Sequence, residues 1–311
     1  MHDLTYTHKM KKLSDYWKVF KKAAVEFDGD NGFKLAASLS YSTIFAMGPL
    51  LIVVISLAGI LLGHDAVQGN IYDQIKGLVG NSAALQIQDI IKNIQASKHT
   101  TAGAIIGGAI LLVSATSVFT EIQGSINYMW SIQAKPKKGW LKLLMNRLLS
   151  FSLIVGLGFV AMVSLLVSSL MDLLSDYLKQ YFSHFTVGFF YMVNLLLTLA
   201  VVVLLFTIIF KVLPDAIIRC KYAFYGAIFT GLLFILGKFL IGLYLGNSNL
   251  GITYGAAASI VVILTWVYYS SIILYFGAEF TEAYAQGFGG RIRPSDTAVF
   301  ILKREVRELE D

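Results

Sequence analysis

Charged residues are scarce in this chain of 311 amino acids. Asp, Glu, Lys and Arg make up 14% of it, whereas an ordinary soluble domain carries about 25%. Hydrophobic residues make up 56% of the sequence, and its mean hydropathy is +0.68. A chain this poor in charge does not match a water-soluble domain, and its composition favours a protein embedded in lipid.

Cysteine and proline are also rare, with one and four residues, and the five histidines form no motif. The single thiol, Cys220, cannot form an internal disulfide and is interpreted as inert. No histidine has metal-site spacing relative to carboxylates or thiols. The sequence also lacks a phosphate-binding glycine loop, a nucleophile elbow and the interleaved basic and aromatic residues that bind single-stranded nucleic acid. We therefore predict no enzymatic activity, no metal or cofactor, and no nucleic-acid partner.

What the chain does contain is six long apolar blocks. A helix that rises 1.5 Å per residue needs about 20 residues to cross the hydrocarbon core, and each block is long enough. Lipid offers no hydrogen bonds to exposed amides, so helices are favoured over open strands. The predicted fold is all-α, a polytopic membrane protein with a bundle of six transmembrane helices. The predicted spans are about 35–63, 100–126, 148–171, 186–210, 222–245 and 254–281, within a transmembrane domain of residues 35–281.

Lysine and arginine are concentrated in four of the segments that flank the spans. Residues 1–34, 127–147, 211–222 and 282–311 hold seven, five, three and five of the 25. Positively charged loops stay on the cytoplasmic side, so both termini are predicted to be cytoplasmic. The net charge of +6 predicts attraction to anionic lipids at that face. The segments of the opposite face hold Lys76, Lys92, Lys98 and Lys179.

Three amphipathic segments lie outside the spans. In the basic segment 1–34, two interpretations remain open: a helix that lies on the inner membrane surface, or one that packs against the cytoplasmic end of the bundle. The external segment 64–99 is predicted to form two short helices that cap the outer face. In the cytoplasmic tail, 282–311, Ser295 is predicted to cap a helix with one apolar stripe. The apolar face of the first segment is Leu13, Trp17, Phe20, Ala24 and Phe27, and that of the tail is Val299, Leu302, Val306 and Leu309.

Lys238 is the most informative polar residue within a predicted span. An ammonium group near the bilayer centre costs about 2.5 to 3.5 kcal/mol on insertion scales, and it normally faces protein or water. Side chains at a similar depth that would serve as partners are Asn194, Tyr244 and Asp172. The alternative is that Lys238 extends its stem toward the outer headgroups. Both interpretations stay open.

The first span combines a proline with a run of hydroxyl groups. Pro49 lacks an amide proton and its ring clashes with the carbonyl of Phe45, so a kink is predicted. Residues 38–43, which include Tyr41, carry hydroxyls on all but one position. These hydroxyls either satisfy the freed carbonyls or line a wet cavity.

A polar stripe runs along the sixth span and defines a candidate cytoplasmic gate. Glu121 and Glu279 fall at the cytoplasmic ends of the second and sixth spans, at the depth of several cations. Ion pairs at this boundary are one interpretation, and a polar path to the cytoplasm is the other. The stripe consists of Thr265, Tyr268, Tyr275, Glu279 and Glu282, and the cations are Lys34, Arg147 and Lys211.

Small and aromatic residues near the span ends are interpreted as packing and anchoring groups. Gly242 and Gly246 match the spacing that allows close helix approach. Such approach occurs within one bundle or between copies, so homo-oligomerisation is left open. Trp130, Trp140 and Tyr284 suit the aromatic belt at the headgroups.

Several short motifs, taken in order, resemble the YihY/virulence factor BrkB family. The similarity extends from about Lys34 to Thr281. It implies a six-helix protein of the bacterial inner membrane, regarded as a transporter or as a protein that affects envelope lipids, and it supplies no catalytic residues. Some members were formerly labelled ribonuclease BN, which finds no chemical support in this sequence. The motifs are residues 36–41 with Pro49, residues 115–117 through Asn127 to Trp130, and residues 211–215, 225–227, 254–256, 266–269 and 277–279.

Together these observations predict an inner-membrane transporter, or a transport-related protein, for a small or amphiphilic, lipid-like substrate. Six spans divide into three and three, the arrangement of inverted-repeat transporters. A non-transporting scaffold that binds envelope partners is the alternative, and a membrane-embedded lipid enzyme is a third hypothesis. The residues predicted to line a cavity or gate are Tyr41, Pro49, Glu121, Asn127, Asn194, Lys238, Tyr268, Tyr275 and Glu279.

Overall fold

The computed structural model of the protein describes residues 13–46, 117–135, 184–247, 254 and 258–303. Predictions for Pro49, the external segment 64–99 and the third span lie outside the described residues, as does the prediction for the Asn194 side chain. Within these ranges the chain forms six helices and four short strands. The helices are α1, Leu13–Gly29; α2, 32–46; α3, 117–129; α4, His184–Val212; α5, Cys220–Asn247; and α6, Ala258–Gly287.

Helices α4, α5 and α6 are long and apolar enough to cross a membrane. Their apolar stretches are Leu195–Val212, Cys220–Tyr244 and Ile260–Gly287, with mean hydropathies of 2.8, 2.0 and 1.9. At 1.5 Å per residue the 30-residue helix α6 is about 45 Å long, which exceeds the hydrocarbon thickness. The three helices coincide with the last three predicted spans, and α6 continues six residues past the predicted end at residue 281.

The long helices pack in a chain of neighbours. Helix α4 packs against α5, α5 against α6, and α6 against α1. The buried core draws apolar side chains from all six helices, and many of its largest residues lie near the end of α6 that α1 covers. Large apolar side chains such as Leu196, Leu232, Phe239 and Ile260 remain exposed on α4, α5 and α6, as expected of surfaces that face lipid rather than water.

Two glycine–threonine contacts bring α5 and α6 close together, and each helix supplies one glycine and one threonine. A Cβ on Gly226 would lie 1.9 Å from Thr281 Oγ1, and one on Gly277 would lie 2.0 Å from Thr230 Oγ1. Each threonine hydroxyl donates, at 2.7 Å, to the carbonyl of the glycine four residues earlier on its own helix. By contrast, nothing lies within 4 Å of a Cβ built on Gly242. Close approach of α5 and α6 therefore depends on Gly226 rather than on the predicted Gly242 pattern.

Helix α1 packs against the protein with a face that differs from the predicted one. Val19, Ala23 and Phe27 are buried, whereas Trp17, which was predicted to share the apolar face, is 67% exposed. The predicted face was wrong at Trp17 because packing against α6 selects the row at i, i+4, i+8 that contains the small residue Ala23. Of the two open interpretations, the described contacts support a helix packed on the bundle.

The tail forms strands where a helix was predicted. Strand β1, Ile132–Ala134, pairs antiparallel with β4, Ala298–Phe300, and β2, Ala216–Ile217, pairs with β3, Arg293–Pro294. The helical prediction is therefore wrong for residues 298–300. Its apolar spacing was compatible with a helix, but β1 supplies backbone pairing partners from a distant part of the chain, which a sequence pattern does not reveal.

A glycine turn ends α6 and directs the chain toward β3. Gly289 has a φ of +72°, and the amide of Gly290 donates to the carbonyl of Ala285 at 2.7 Å. This left-handed residue and its hydrogen bond are the Schellman arrangement that commonly closes a helix. A Cβ on Gly290 would lie 2.3 Å from the Tyr222 ring, so the turn also packs tightly against α5.

The described parts of the four lysine- and arginine-rich segments meet at one end of the bundle. Lys303 of the tail contacts Asp30 after α1 at 2.5 Å. The amide of Ser295 donates to the carbonyl of Asp215 at 2.9 Å, and the amide of Asp215 donates to Asn127 Oδ1 at 2.8 Å. Segments that are far apart in sequence thus form one surface.

Candidate functional site

An amide and a carboxylate tie α3 to the loop between α4 and α5. Asn127 is buried, and its Nδ2 donates to Asp215 Oδ2 at 2.9 Å while its Oδ1 accepts from the Asp215 amide. Gln123 Nε2 donates to the same carboxylate oxygen at 3.1 Å. Asn127 was predicted to line a cavity or gate, and the structure places it in this hydrogen-bonded clamp.

Trp130 extends the contact from α3 to α6. Its indole is 1% exposed, and Nε1 donates to the carbonyl of Ala278 at 3.1 Å. Trp130 and Tyr284 were predicted to anchor at the headgroups, and the structure buries both side chains against other parts of the protein. A tryptophan at a span end suits a headgroup and a helix interface equally well, and only the fold distinguishes them.

Glu279 follows Ala278 and is the most unusual side chain of the site. Its accessible surface is 0%, and neither carboxylate oxygen has a hydrogen-bond partner. It lies eight residues before the end of α6, about 12 Å along the helix axis. A buried ionised carboxylate without a partner is strongly disfavoured.

Three further carboxylates surround Glu279 and form with it the carboxylate cluster. Glu282 lies one turn further along α6, and Asp30 and Glu26 approach from the end of α1; all three interact electrostatically with Glu279. Asp30 is also within interaction range of Glu279. A hydrogen bond between two carboxyl groups requires a proton on one of them, because an ionised carboxylate can only accept. The cluster therefore consists of Glu26, Asp30, Glu279 and Glu282.

The other members of the carboxylate cluster have polar or cationic partners. Lys22 Nζ lies 3.5 Å from Glu26 Oε1 and also donates to Gln286 Oε1. Gln286 Nε2 donates to Glu282 Oε1 at 2.9 Å, and Lys303 pairs with Asp30. Among the four described carboxylates, Glu279 is thus the one with no hydrogen bond at either oxygen.

Burial also affects Glu26, the member of the carboxylate cluster that lies on α1. Desolvation raises the pKa of Glu26 above its usual range, opposed by the nearby ammonium of Lys22. Glu26 Oε2 is buried without a hydrogen-bond partner. The site disfavours negative charge, even where lysines lie at its edge.

A second polar group lies one turn from Glu279 toward the centre of α6. Tyr275 is fully buried, and its hydroxyl lies near Ser125 of α3 but makes no hydrogen bond of normal geometry. Glu121 of α3 interacts electrostatically with Tyr275 and accepts a hydrogen bond from Ser38 of α2 at 2.7 Å. Polar groups from α2, α3 and α6 thus meet beside the carboxylate cluster.

The structure brings together some of the predicted gate residues and separates others. Tyr275, Glu279 and Glu121 lie around one region of α6. Tyr268 is half-buried and lies closer to the start of α6. Lys238 is exposed on α5, which agrees with either interpretation of that residue. Tyr41 is 66% exposed and packs edge-on against Phe45, with ring centroids 5.0 Å apart.

Ion pairs at the cytoplasmic boundary were the alternative to a gate. Within the described part of the chain, Glu279 forms no such pair. Lys211 instead donates to the backbone carbonyl of Ile218. Lys211, one of the three cations expected at this boundary, is therefore engaged by the loop after α4 and not by Glu279. Arg147 lies outside the described part of the chain.

Sequence reasoning missed Glu26 and Asp30. A signal was present in the Asp28-Gly29-Asp30-Asn31-Gly32 turn, which contains two glycines and a residue tolerant of the left-handed region. Asn31 has a φ of 57°, and a Cβ on Gly32 would lie 2.3 Å from the Phe27 ring. This tight turn between α1 and α2 places Asp30 against α6.

Long apolar helices with exposed apolar flanks define a mostly helical membrane protein. The comparison with known families agrees: residues 23–299 match the family described as "Virulence factor BrkB". The chain belongs to this family, which confirms the resemblance found in its motifs.

Several bacterial relatives, each described as "UPF0761 membrane protein", are similar to the chain. The protein of Azotobacter vinelandii is 28% identical over 274 residues, covering 85% of this chain and 62% of the relative. That of Pseudomonas aeruginosa is 28% identical over 259 residues, with coverages of 82% and 60%. That of Alcanivorax borkumensis is 30% identical over 270 residues, with coverages of 83% and 58%. The chain thus spans about three fifths of the length of these relatives. No solved structure matches it significantly.

Proposed function

We propose that the protein is a transporter of the bacterial inner membrane for a small or amphiphilic substrate, and that it is not an enzyme. The observation that carries this proposal is the fully buried, unpartnered Glu279 within the apolar helix α6. Ionisable side chains inside membrane helices are costly and rare, and such a residue indicates an ion or substrate pathway by default.

The surroundings of Glu279 fit a pathway that is closed at one end. Helix α1 covers the end of α6, and Lys22 links the two helices through Gln286. Phe27 of α1 packs edge-on against Phe276 of α6, with centroids 5.8 Å apart. In this proposal, α1 is the cytoplasmic barrier of the pathway, and its displacement opens the site to water.

We also propose the full topology of six spans with both termini in the cytoplasm. Its support is the convergence of α1, the loop at Asp215, strand β1 and the tail on one end of the bundle. These segments hold most of the lysine and arginine, as cytoplasmic segments do. Lys18 and Lys21 are exposed on α1 beside Trp17, a combination that would contact anionic headgroups of the inner leaflet.

Reconstitution tests the transport proposal. Proteoliposomes would be loaded with a carbon-13-labelled extract of bacterial small molecules, and a second set would carry fluorescent phosphatidylglycerol. We expect protein-dependent release of labelled compounds, or flipping of the fluorescent lipid, that falls to the level of empty liposomes in Glu279→Gln. Asp28→Asn, which alters an exposed carboxylate of α1, would retain it.

Release and flipping equal to those of empty liposomes with the unaltered protein would contradict transport. The liposome lipids are expected to keep their masses throughout. A new lipid mass formed by the unaltered protein would instead identify an enzyme. The same preparations therefore distinguish the two classes of function.

A further inference from the structure

Glu279 lies between elements that give it no positive neighbour in direct contact. On α1 and its end, Glu26 and Asp30 face it, and on α6 Glu282 does so. Lys22 and Lys303 are the nearby cations, but they lie against Glu26 and Asp30. The interactions that reach Glu279 from ionisable groups are thus all with carboxylates.

The remaining neighbours of α6 at this level are uncharged. On α5, Thr230 packs against Gly277 and Gly226 packs against Thr281. Just after α3, Trp130 donates a hydrogen bond to the carbonyl of Ala278, the residue before Glu279. Glu121 lies nearer Tyr275, one turn away. No described helix or strand packed here brings Glu279 a compensating charge.

A negative charge at Glu279 would therefore be buried, unpaired and close to three other carboxylates. Each of these conditions disfavours the ionised form, and an uncompensated buried charge is expected to be neutralised. A proton or a bound cation could neutralise it. The described residues contain no group of three or more metal-ligating side chains arranged to hold an ion, and the carboxyl of Glu279 has no accessible surface. A proton needs neither a ligand shell nor space.

We infer that Glu279 binds a proton and shares it with Asp30, and that this carboxyl pair is the proton-coupling site of the proposed transporter. The inference rests on the proposed function for its role in transport, while the proton site itself rests on the geometry. When a proton reaches Glu279, an O–H bond forms on one carboxyl oxygen. That hydroxyl then donates to the carboxylate of Asp30, and release reverses both steps.

Asp30 is suited to connect this site with water. Its side chain is 13% exposed, in contrast to the fully buried Glu279, and Lys303 holds it at 2.5 Å. The contact with Lys303 fixes the position of the Asp30 carboxyl group at the end of α1, beside α6. A proton therefore has a short path from solvent to Asp30 and on to Glu279, with movement of α1 or the tail as its gate.

Infrared spectroscopy of the purified protein in lipid tests the proton site directly. A protonated carboxylic acid has a carbonyl stretch separate from amide and carboxylate bands. We expect such a band at neutral pH, and a shift of the band when glutamate, but not aspartate, is labelled with carbon-13. Glu279→Gln should remove this component, whereas Asp28→Asn should leave it unchanged.

The unaltered protein provides the decisive readout, so the test does not depend on how the variants fold. Absence of a glutamic acid band at neutral pH would overturn the inference, as would a band that persists in folded Glu279→Gln. Asp30→Asn is expected to shift the band frequency, and an unchanged frequency would overturn the sharing of the proton. A band that grows when sodium and potassium are replaced by choline would overturn it in favour of a bound cation.

The two proposals fail separately. A glutamic acid band that requires Glu279, together with no release or flipping in liposomes, would support the proton site and contradict transport. Transport without the band would support the proposed function and contradict the proton site. If both hold, an imposed pH gradient should change the rate of transport by the unaltered protein.

Discussion

Asn127 shows how a single side chain joins parts of the chain that are far apart. Its amide group donates to the Asp215 carboxylate and accepts from the Asp215 backbone, so it satisfies two groups of the α4–α5 loop at once. Asparagine is suited to this because one side chain provides both a donor and an acceptor. The loop that it holds also bonds to Ser295 of the tail.

Asn127→Ala is therefore expected to destabilise the protein by about 1 to 3 kcal/mol, since it removes two hydrogen bonds between partly buried polar groups. A thermal unfolding scan in detergent would measure the loss as a lower midpoint. Gln123→Ala is the matched control, because Gln123 contributes a single bond of 3.1 Å to the same carboxylate. An Asn127→Ala midpoint no lower than that of the control would contradict the structural role of the clamp.

The carboxyl groups illustrate what residue type and spacing do not reveal. Glu279 and Glu282 were recognisable as one helical stripe, since they are three positions apart. Asp30 was not, because an acidic residue in a glycine-containing turn is most often a solvated one. The fold alone places it against Glu279.

At the scale of elements, α5 and α6 approach each other closely at two glycines, Gly226 and Gly277. The glycines remove side chains from the interface, and the threonines bond to their own helices while covering the opposite glycine. Small residues allow such close approach in membranes, where packing rather than the hydrophobic effect holds helices together. The position of Glu279, two residues from Gly277 and Thr281, depends on this contact.

Gly226→Ala should separate the two helices, because the new Cβ would lie 1.9 Å from Thr281 Oγ1. Overpacking of this kind costs about 1 to 3 kcal/mol, and the unfolding midpoint should fall accordingly. Gly242→Ala is the control on the same helix, since its Cβ would meet nothing within 4 Å and alanine favours helix. Equal midpoints for the two variants would show that the contact does not limit stability.

Strand β4 shows the limit of periodicity as a signal. Val299 and Leu302 are three residues apart, which is compatible with a helix, yet residues 298–300 pair with β1. A strand of three residues is too short for its alternation to be distinguished from a helical pattern. Pairing with a distant partner determined its conformation.

At the scale of the whole molecule, the proposed topology places Cys220 on the cytoplasmic side. Cys220 is the sole cysteine of the sequence and is exposed at the start of α5, so it can report its own location. A membrane-impermeant maleimide is expected to label it in inside-out vesicles and not in intact spheroplasts.

Two single-cysteine variants complete this test in a Cys220→Ser background. Lys18→Cys on α1 should be labelled from the same side as Cys220, because the described basic segments meet at one end of the bundle. Lys92→Cys, in the predicted external segment, should be labelled from the opposite side. Labelling of Lys18→Cys and Lys92→Cys from the same side would refute the proposed arrangement of six spans.

By itself, the sequence determined that the chain is a membrane protein and where its last three long helices lie. Each helix closes its own backbone hydrogen bonds within a continuous stretch, so length and hydropathy, both local properties, are sufficient to predict it. The family resemblance followed from motifs that are likewise short and local.

The tertiary structure decided which residues meet. Lys22 and Gln286 are 264 positions apart, and Asp30 reaches Glu279 only because α1 folds onto the end of α6. The burial of Glu279, the face of α1 and the pairing of β4 all depend on distant partners. A pattern along one segment contains no information about the charge, shape or backbone groups that another segment will present to it.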